Sequence, residues 1–152
     1  MPILYLMRHG KAENTSPDIM RALSDIGKDN VLSTVKLLKD KNIEINRAIY
    51  SPAERTKETA LLMCNGLGVS IDDQTEDERI YNASVSELQA VLSTIDEGLN
   101  SVLLVGHNPG LAELVLMLCE ESVHLSAGNI AVVYAESWAN VLNCECKFIE
   151  KY

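Results

Sequence analysis

The chain has 152 residues, 47% of them hydrophobic and 23% charged, which fits one globular domain spanning 1–152 and excludes a disordered or fibrous protein. Thirteen basic against 22 acidic residues leave a formal charge of −9, so nucleic acid and anionic membranes are excluded as main partners, and any bound anion must be captured locally against the global field. Cys64, Cys119, Cys144 and Cys146 show no zinc-ligand spacing and read as idle thiols of a reducing compartment, and no apolar run is long enough to span a membrane, so a cytoplasmic location is expected.

In chain order, Ile3-Leu4-Tyr5-Leu6-Met7 is a short, nearly continuous apolar run, the pattern of a central strand covered on both faces. From Lys28 to Asp40, Val31, Val35 and Leu38 form one helical stripe. Arg47-Ala48-Ile49-Tyr50 reads as a second strand. Ser51 follows as an N-cap, with Pro52 at the first helical position and Glu54 completing a capping box. The helix behind it carries Ala60, Leu61, Met63 and Cys64 and ends near Gly66 or Gly68. Ser84 and Glu87 repeat the capping-box pattern before Leu88, Val91, Leu92 and Ile95. Ser101 to Gly106 is the clearest buried strand, after which Asn108-Pro109 caps and opens another helix through Leu114 and Leu118. Ile130 to Tyr134 and Val141 to Ile149 read as closing strands. The alternation predicts an α/β fold, a three-layer sandwich with a mostly parallel central sheet and helices on both faces, whose ligands gather at the carboxyl ends of the strands.

Three such junctions carry unusual chemistry: Arg8-His9-Gly10, Ser51 with Arg55 one turn further on, and Gly106-His107-Asn108-Pro109. Two histidines and two arginines meeting at one sheet edge would repel one another unless an anion sat among them. Guanidinium forks and helix N-termini both suit phosphate oxygens, so the simplest occupant is a phosphoryl group. The chain has no P-loop, no His-Glu-x-x-His, no Gly-x-Ser-x-Gly and no cysteine-phosphatase spacing, and His124 lacks a matching partner.

Arg8-His9-Gly10, Ser51-Pro52-x-x-Arg55-x-x-x-Thr59 and Gly106-His107, in that order along nearly the whole chain, resemble the histidine phosphatase superfamily, with its phosphoglycerate-mutase-like fold. Arg8 to Ala12, then Arg21-Ala22-Leu23-Ser24 and Gly27, are similar to the start of the compact SixA-type phosphohistidine phosphatases, with Ala22 and Ser24 as departures from Pro-Leu-Thr. The resemblance implies that His9 attacks phosphorus and carries a phosphohistidine intermediate, while Arg8, Arg55 and His107 hold the oxygens. It implies no cofactor and no metal, since arginines supply the charge. Arg21 is carried over as a substrate contact, the alternative being a solvated loop arginine. Glu78, in Asp77-Glu78-Arg79-Ile80-Tyr81, is the candidate general acid, the alternative being an exposed residue of an acidic loop. The expected partner is a phosphorylated protein, either a histidine-containing phosphotransfer domain or a phosphocarrier. A small-molecule phosphomonoesterase or mutase, and a non-catalytic phosphoprotein-binding module, stand as alternatives.

Overall fold

A computed structural model describes residues 1–152. Its strands are β1 (Ile3–Arg8), β2 (Arg47–Tyr50), β3 (Gln74–Glu76), β4 (Ser101–Gly106), β5 (Ile130–Tyr134) and β6 (Lys147–Lys151). Its helices are α1 (Asp25–Asp40), α2 (Glu54–Leu67), α3 (Val85–Leu92), α4 (Gly110–Cys119) and α5 (Trp138–Leu142). All six strands join one sheet in the order β3-β2-β4-β1-β5-β6.

Side chains of a strand alternate between faces, and β1 divides its apolar residues accordingly. Leu4 and Leu6 pack with Leu88, Leu111, Leu114, Trp138 and Val141, the buried faces of α3, α4 and α5. Tyr5 and Met7 pack with Val31, Val35, Leu38, Ala60 and Met63, the stripes of α1 and α2. The sheet is therefore flanked by helices, and β4 is buried at every position.

The expected mostly parallel sheet is corrected to a mixed one. β3, β2, β4 and β1 run parallel, whereas β5 runs antiparallel to β1, and β6 antiparallel to β5. The cause lies after α4. Residues 120–129 return to the carboxyl end of β1, where the Gly128 N–H donates to the carbonyls of Arg8 and His9 at 3.0 and 2.9 Å. Gly128 makes that turn at φ +81°, a backbone state that glycine adopts without a Cβ clash. From there β5 can only run back down the sheet.

Three local expectations also change. The Ser84–Glu87 capping box forms, but the Ser51–Glu54 one does not: α2 starts at Glu54 behind Ala53, with no side-chain cap. Asn108 does not cap α4, which begins behind Pro109; its Nδ2 donates instead to the Leu125 carbonyl at 2.9 Å. The stretch from Val141 to Ile149 is split, because Ser137 caps α5 and Trp138 and Val141 bury one helical face, leaving only Lys147 onward to pair as β6.

Candidate active site

β2, β4 and β1 are parallel neighbours, with Tyr50 beside Val105 and Arg8 beside Gly106, so their carboxyl ends open onto one place. Arg8 ends β1 and His9 follows it; Ser51 follows β2; His107 follows β4; Arg55 stands in the first turn of α2. Thr59, one turn further on, ties these junctions together: its Oγ1 accepts from the Gly10 N–H at 3.1 Å and donates to the Arg55 carbonyl at 2.7 Å. A Cβ on Gly10 would meet the Gly27 carbonyl at 2.9 Å, so only glycine lets this turn settle against the start of α1.

The partners around the two imidazoles decide their tautomers. His9 Nδ1 lies 2.7 Å from the Gly10 carbonyl, which only accepts, so Nδ1 carries the proton and Nε2 keeps a lone pair. The Arg55 Nε–H points at that lone pair from 3.4 Å. His107 is set the other way round: Arg55 donates to its Nδ1 at 3.3 Å, and its Nε2–H donates to the buried Ser51 Oγ at 2.8 Å. Burial first, then the neighbouring arginines, push His9 down to about 4. Burial, His9 and Arg55 push His107 down to about 3. Both rings, 5.3 Å apart between centroids, are therefore neutral at physiological pH, and His9 presents an unprotonated nitrogen.

Arg8, His9, Arg21, Arg55 and His107 line one cavity of about 440 Å³, together with Asp18, Tyr81, Asn82 and Asn108. The structure thus brings together every site residue expected from sequence except Glu78. That residue opens a short 3₁₀ turn, Glu78–Ile80, is exposed, and lies off the cavity lining. The acidic side chain at the cavity is Asp18, in the 3₁₀ turn Asp18–Met20. Its carboxylate accepts from Tyr81 Oη at 2.6 Å, Arg55 at 3.1 Å and Arg21 at 3.2 Å. The Tyr81 hydrogen bond, followed by those from Arg21 and Arg55, holds it at about 2, hence ionised.

The sequence reading gives Asp18, Tyr81 and Asn82 no site role, and places Ser51 and Asn108 at the converging strand ends only as helix caps. Ser51 and Asn108 carry a plausible local role as caps, which masks the tertiary one. Asp18 had one signal, a carboxylate three residues ahead of Arg21, the pair that forms at 3.2 Å.

Arg8 Nη1 donates to the Leu125 carbonyl at 3.0 Å, while its buried Nε has no partner in the protein. A buried guanidinium N–H left unpaired costs about 1–3 kcal/mol. Three guanidinium groups face one carboxylate, so the cavity is cationic. No group of three or more His, Cys, Asp or Glu residues is placed to hold a metal ion. No helix is long and apolar enough to cross a membrane. An unprotonated imidazole nitrogen among three guanidinium groups is equipped to add to a phosphoryl phosphorus while its oxygens are held.

Comparison with known proteins agrees with this geometry. The model of the histidine phosphatase superfamily, branch 1, matches residues 4–89. Phosphohistidine phosphatase SixA of Escherichia coli (strain K12) is 30% identical over 118 residues, covering 76% of this chain and 73% of that protein. The structure of the protein histidine phosphatase SixA complexed with tungstate superposes with a TM-score of 0.86 at 25% identity, over 98% of this chain and 95% of that one. A mycobacterial glucosyl-3-phosphoglycerate phosphatase shares the fold at a TM-score of 0.73, with 12% identity over 97% of this chain and 96% of that one.

Proposed function

The chain belongs to the histidine phosphatase superfamily, and from that premise we propose that it hydrolyses the phosphoryl group of a phosphorylated protein histidine through a covalent intermediate on His9. The observation that carries the reading is the His9 tautomer. With Nδ1–H committed to Gly10, the Nε2 lone pair, met only by the long 3.4 Å contact from Arg55 Nε–H, can form a bond to phosphorus while the P–N bond of the substrate breaks. Arg8 and Arg55 hold the equatorial oxygens, whose charge is largest in the loose transition state, and His107 joins them once the bound phosphoryl dianion raises its pKa and its Nδ1 gains a proton. Water then displaces His9 from phosphorus, inorganic phosphate leaves, and the ring returns to its starting tautomer. Guanidinium groups supply the positive charge, so the reaction proceeds without a metal ion or cofactor.

Two relatives are named as histidine phosphatases, and this supports a protein phosphohistidine as substrate. A phosphotransfer domain or phosphocarrier is the expected partner, its histidine entering the cavity at the strand ends. Incubation with a histidine-phosphorylated phosphotransfer protein should transfer label to His9 as an acid-labile, base-stable adduct, absent in His9→Ala and unaffected by EDTA. Turnover by His9→Ala would end the covalent route. Faster turnover of sugar or nucleotide phosphates than of phosphohistidine would make the protein a small-molecule phosphomonoesterase instead.

A further inference from the structure

We propose that Asp18 selects the leaving group: its carboxylate accepts the N–H of the departing imidazole ring, so that the site favours phosphohistidine over phosphate monoesters. The proposal rests on the phosphohistidine reading above and adds to it the residue that discriminates between substrates.

Position comes first. The nucleophile and His107 stand at the strand ends, and Arg55 beside them is only 5% exposed, whereas the Asp18 side chain is 48% exposed. Asp18 thus belongs to the mouth of the cavity and the histidines to its floor. In-line displacement puts the leaving atom on the side of phosphorus away from His9 Nε2, hence toward the mouth. Among the residues lining the cavity, Asp18 is the single carboxylate.

Capacity comes second. A carboxylate offers about four lone-pair directions. Oδ2 uses two, on Tyr81 and Arg55, and Oδ1 uses one, on Arg21. One direction on Oδ1 therefore stays open at the cavity mouth.

Chemistry comes third. All three partners donate, so Asp18 is held as an acceptor and has no proton to give. An alkoxide leaving from a phosphate monoester needs a proton, and here it would meet a negative charge. A phosphohistidine ring protonated on its distal nitrogen needs none. The P–N electron pair returns to the proximal nitrogen, the distal N–H stays in place, and the ring leaves neutral. Before the bond breaks, that ring is cationic, and an ionised carboxylate draws this reactive form into the site.

The test compares two substrates in the full chain. For Asp18→Asn, kcat/KM is measured on a histidine-phosphorylated protein and on p-nitrophenyl phosphate, whose leaving group departs without a proton. The loss on phosphohistidine should exceed that on the ester about tenfold or more, the weight of one hydrogen bond to a charged group. Tyr81→Phe keeps the carboxylate charge and should move both substrates by the same factor. Equal losses in Asp18→Asn would show that Asp18 only positions Arg55 and Arg21, overturning the proposal. A shift of the ratio as large in Tyr81→Phe would assign selection to the hydroxyl and overturn it too. A wild type that cleaves the ester but no phosphohistidine would instead sink the parent reading, an outcome visible before any variant is made.

Discussion

Arg55 is the side chain whose loss should be felt in two separable ways. It is nearly buried and spans the site, with Nε at 3.4 Å from His9 Nε2, Nη2 at 3.3 Å from His107 Nδ1 and 3.1 Å from Asp18 Oδ2, and Nη1 at 2.8 Å from the Asp18 carbonyl. Arg55→Ala removes one donor to the transferring oxygens, which costs about 10²- to 10³-fold in rate, or about 3–4 kcal/mol of transition-state stabilisation. It also removes a positive charge that helps to hold both histidines below their ordinary value. The sign follows directly: with less repulsion His9 protonates at higher pH, so the acid limb of kcat/KM should climb from near pH 4 toward 6.5, although burial keeps it from arriving there. Arg55→Lys separates the two effects. An ammonium keeps the charge and therefore the low acid limb, but one nitrogen cannot reach both histidines and Asp18, so most of the rate loss should remain. The assay is a pH series on a histidine-phosphorylated protein, corrected for spontaneous hydrolysis, with circular dichroism confirming the fold. Lysine at the full arginine rate would refute phosphoryl clamping by a fork. An acid limb that stays near 4 in Arg55→Ala would show that burial and the other two arginines set His9 without Arg55.

Ser51→Ala should unfold more readily by roughly 1–3 kcal/mol and lose kcat/KM, because the buried His107 Nε2–H loses its acceptor; an unchanged melting curve and rate would mean that Arg55 alone orients the ring. Sulfate binding near pH 6 should take up protons, since a dianion raises histidines that lie at about 4 and about 3 in the free protein. Affinity should accordingly weaken as pH rises, and calorimetry in buffers of different ionisation heat that finds no uptake would contradict it. Glu78→Gln should leave phosphohistidine turnover within about twofold, since the residue is exposed and off the cavity; a loss in the 10²–10⁴ range of a positioned acid would return Glu78 to the reaction.

What was legible in the chain follows from where the information lies. The continuous apolar runs of β1 and β4 announce buried strands, and the polar residues that end them, Arg8-His9 and His107, mark the ends where a site can form. Arg55 and Thr59 lie one turn apart on a helix, so a single local pattern places both. Asp18 and Tyr81 sit in segments without any period, and nothing local shows that they meet across 63 positions. Ser51 illustrates a competition. As an N-cap it would contribute about 1 kcal/mol. Turned toward His107 it spares a buried imidazole N–H that would cost about 1–3 kcal/mol unpaired, and the tertiary partner wins. Sheet polarity was illegible for a related reason. A β-rich run reads the same in either direction, and only the path of residues 120–129 decides it.

That path matters to the chemistry. Had a helical crossover brought β5 in parallel, the chain would have entered it from the amino edge, leaving nothing to stand beside Arg8 at the other end. The antiparallel course instead lays the buried Leu125 at the site, where its carbonyl accepts from both Arg8 and Asn108. A carbonyl orients a guanidinium without neutralising it, whereas a carboxylate in the same place would cancel the charge that must meet the phosphoryl group. The same device recurs around the cavity: Arg21 Nε is held by the Glu13 carbonyl at 2.8 Å and Arg55 Nη1 by that of Asp18. Of the three guanidinium groups only Arg21 and Arg55 share a carboxylate, and it is the same one. Anchoring by backbone oxygens is how a chain of net charge −9 keeps a cationic cavity at its sheet edge.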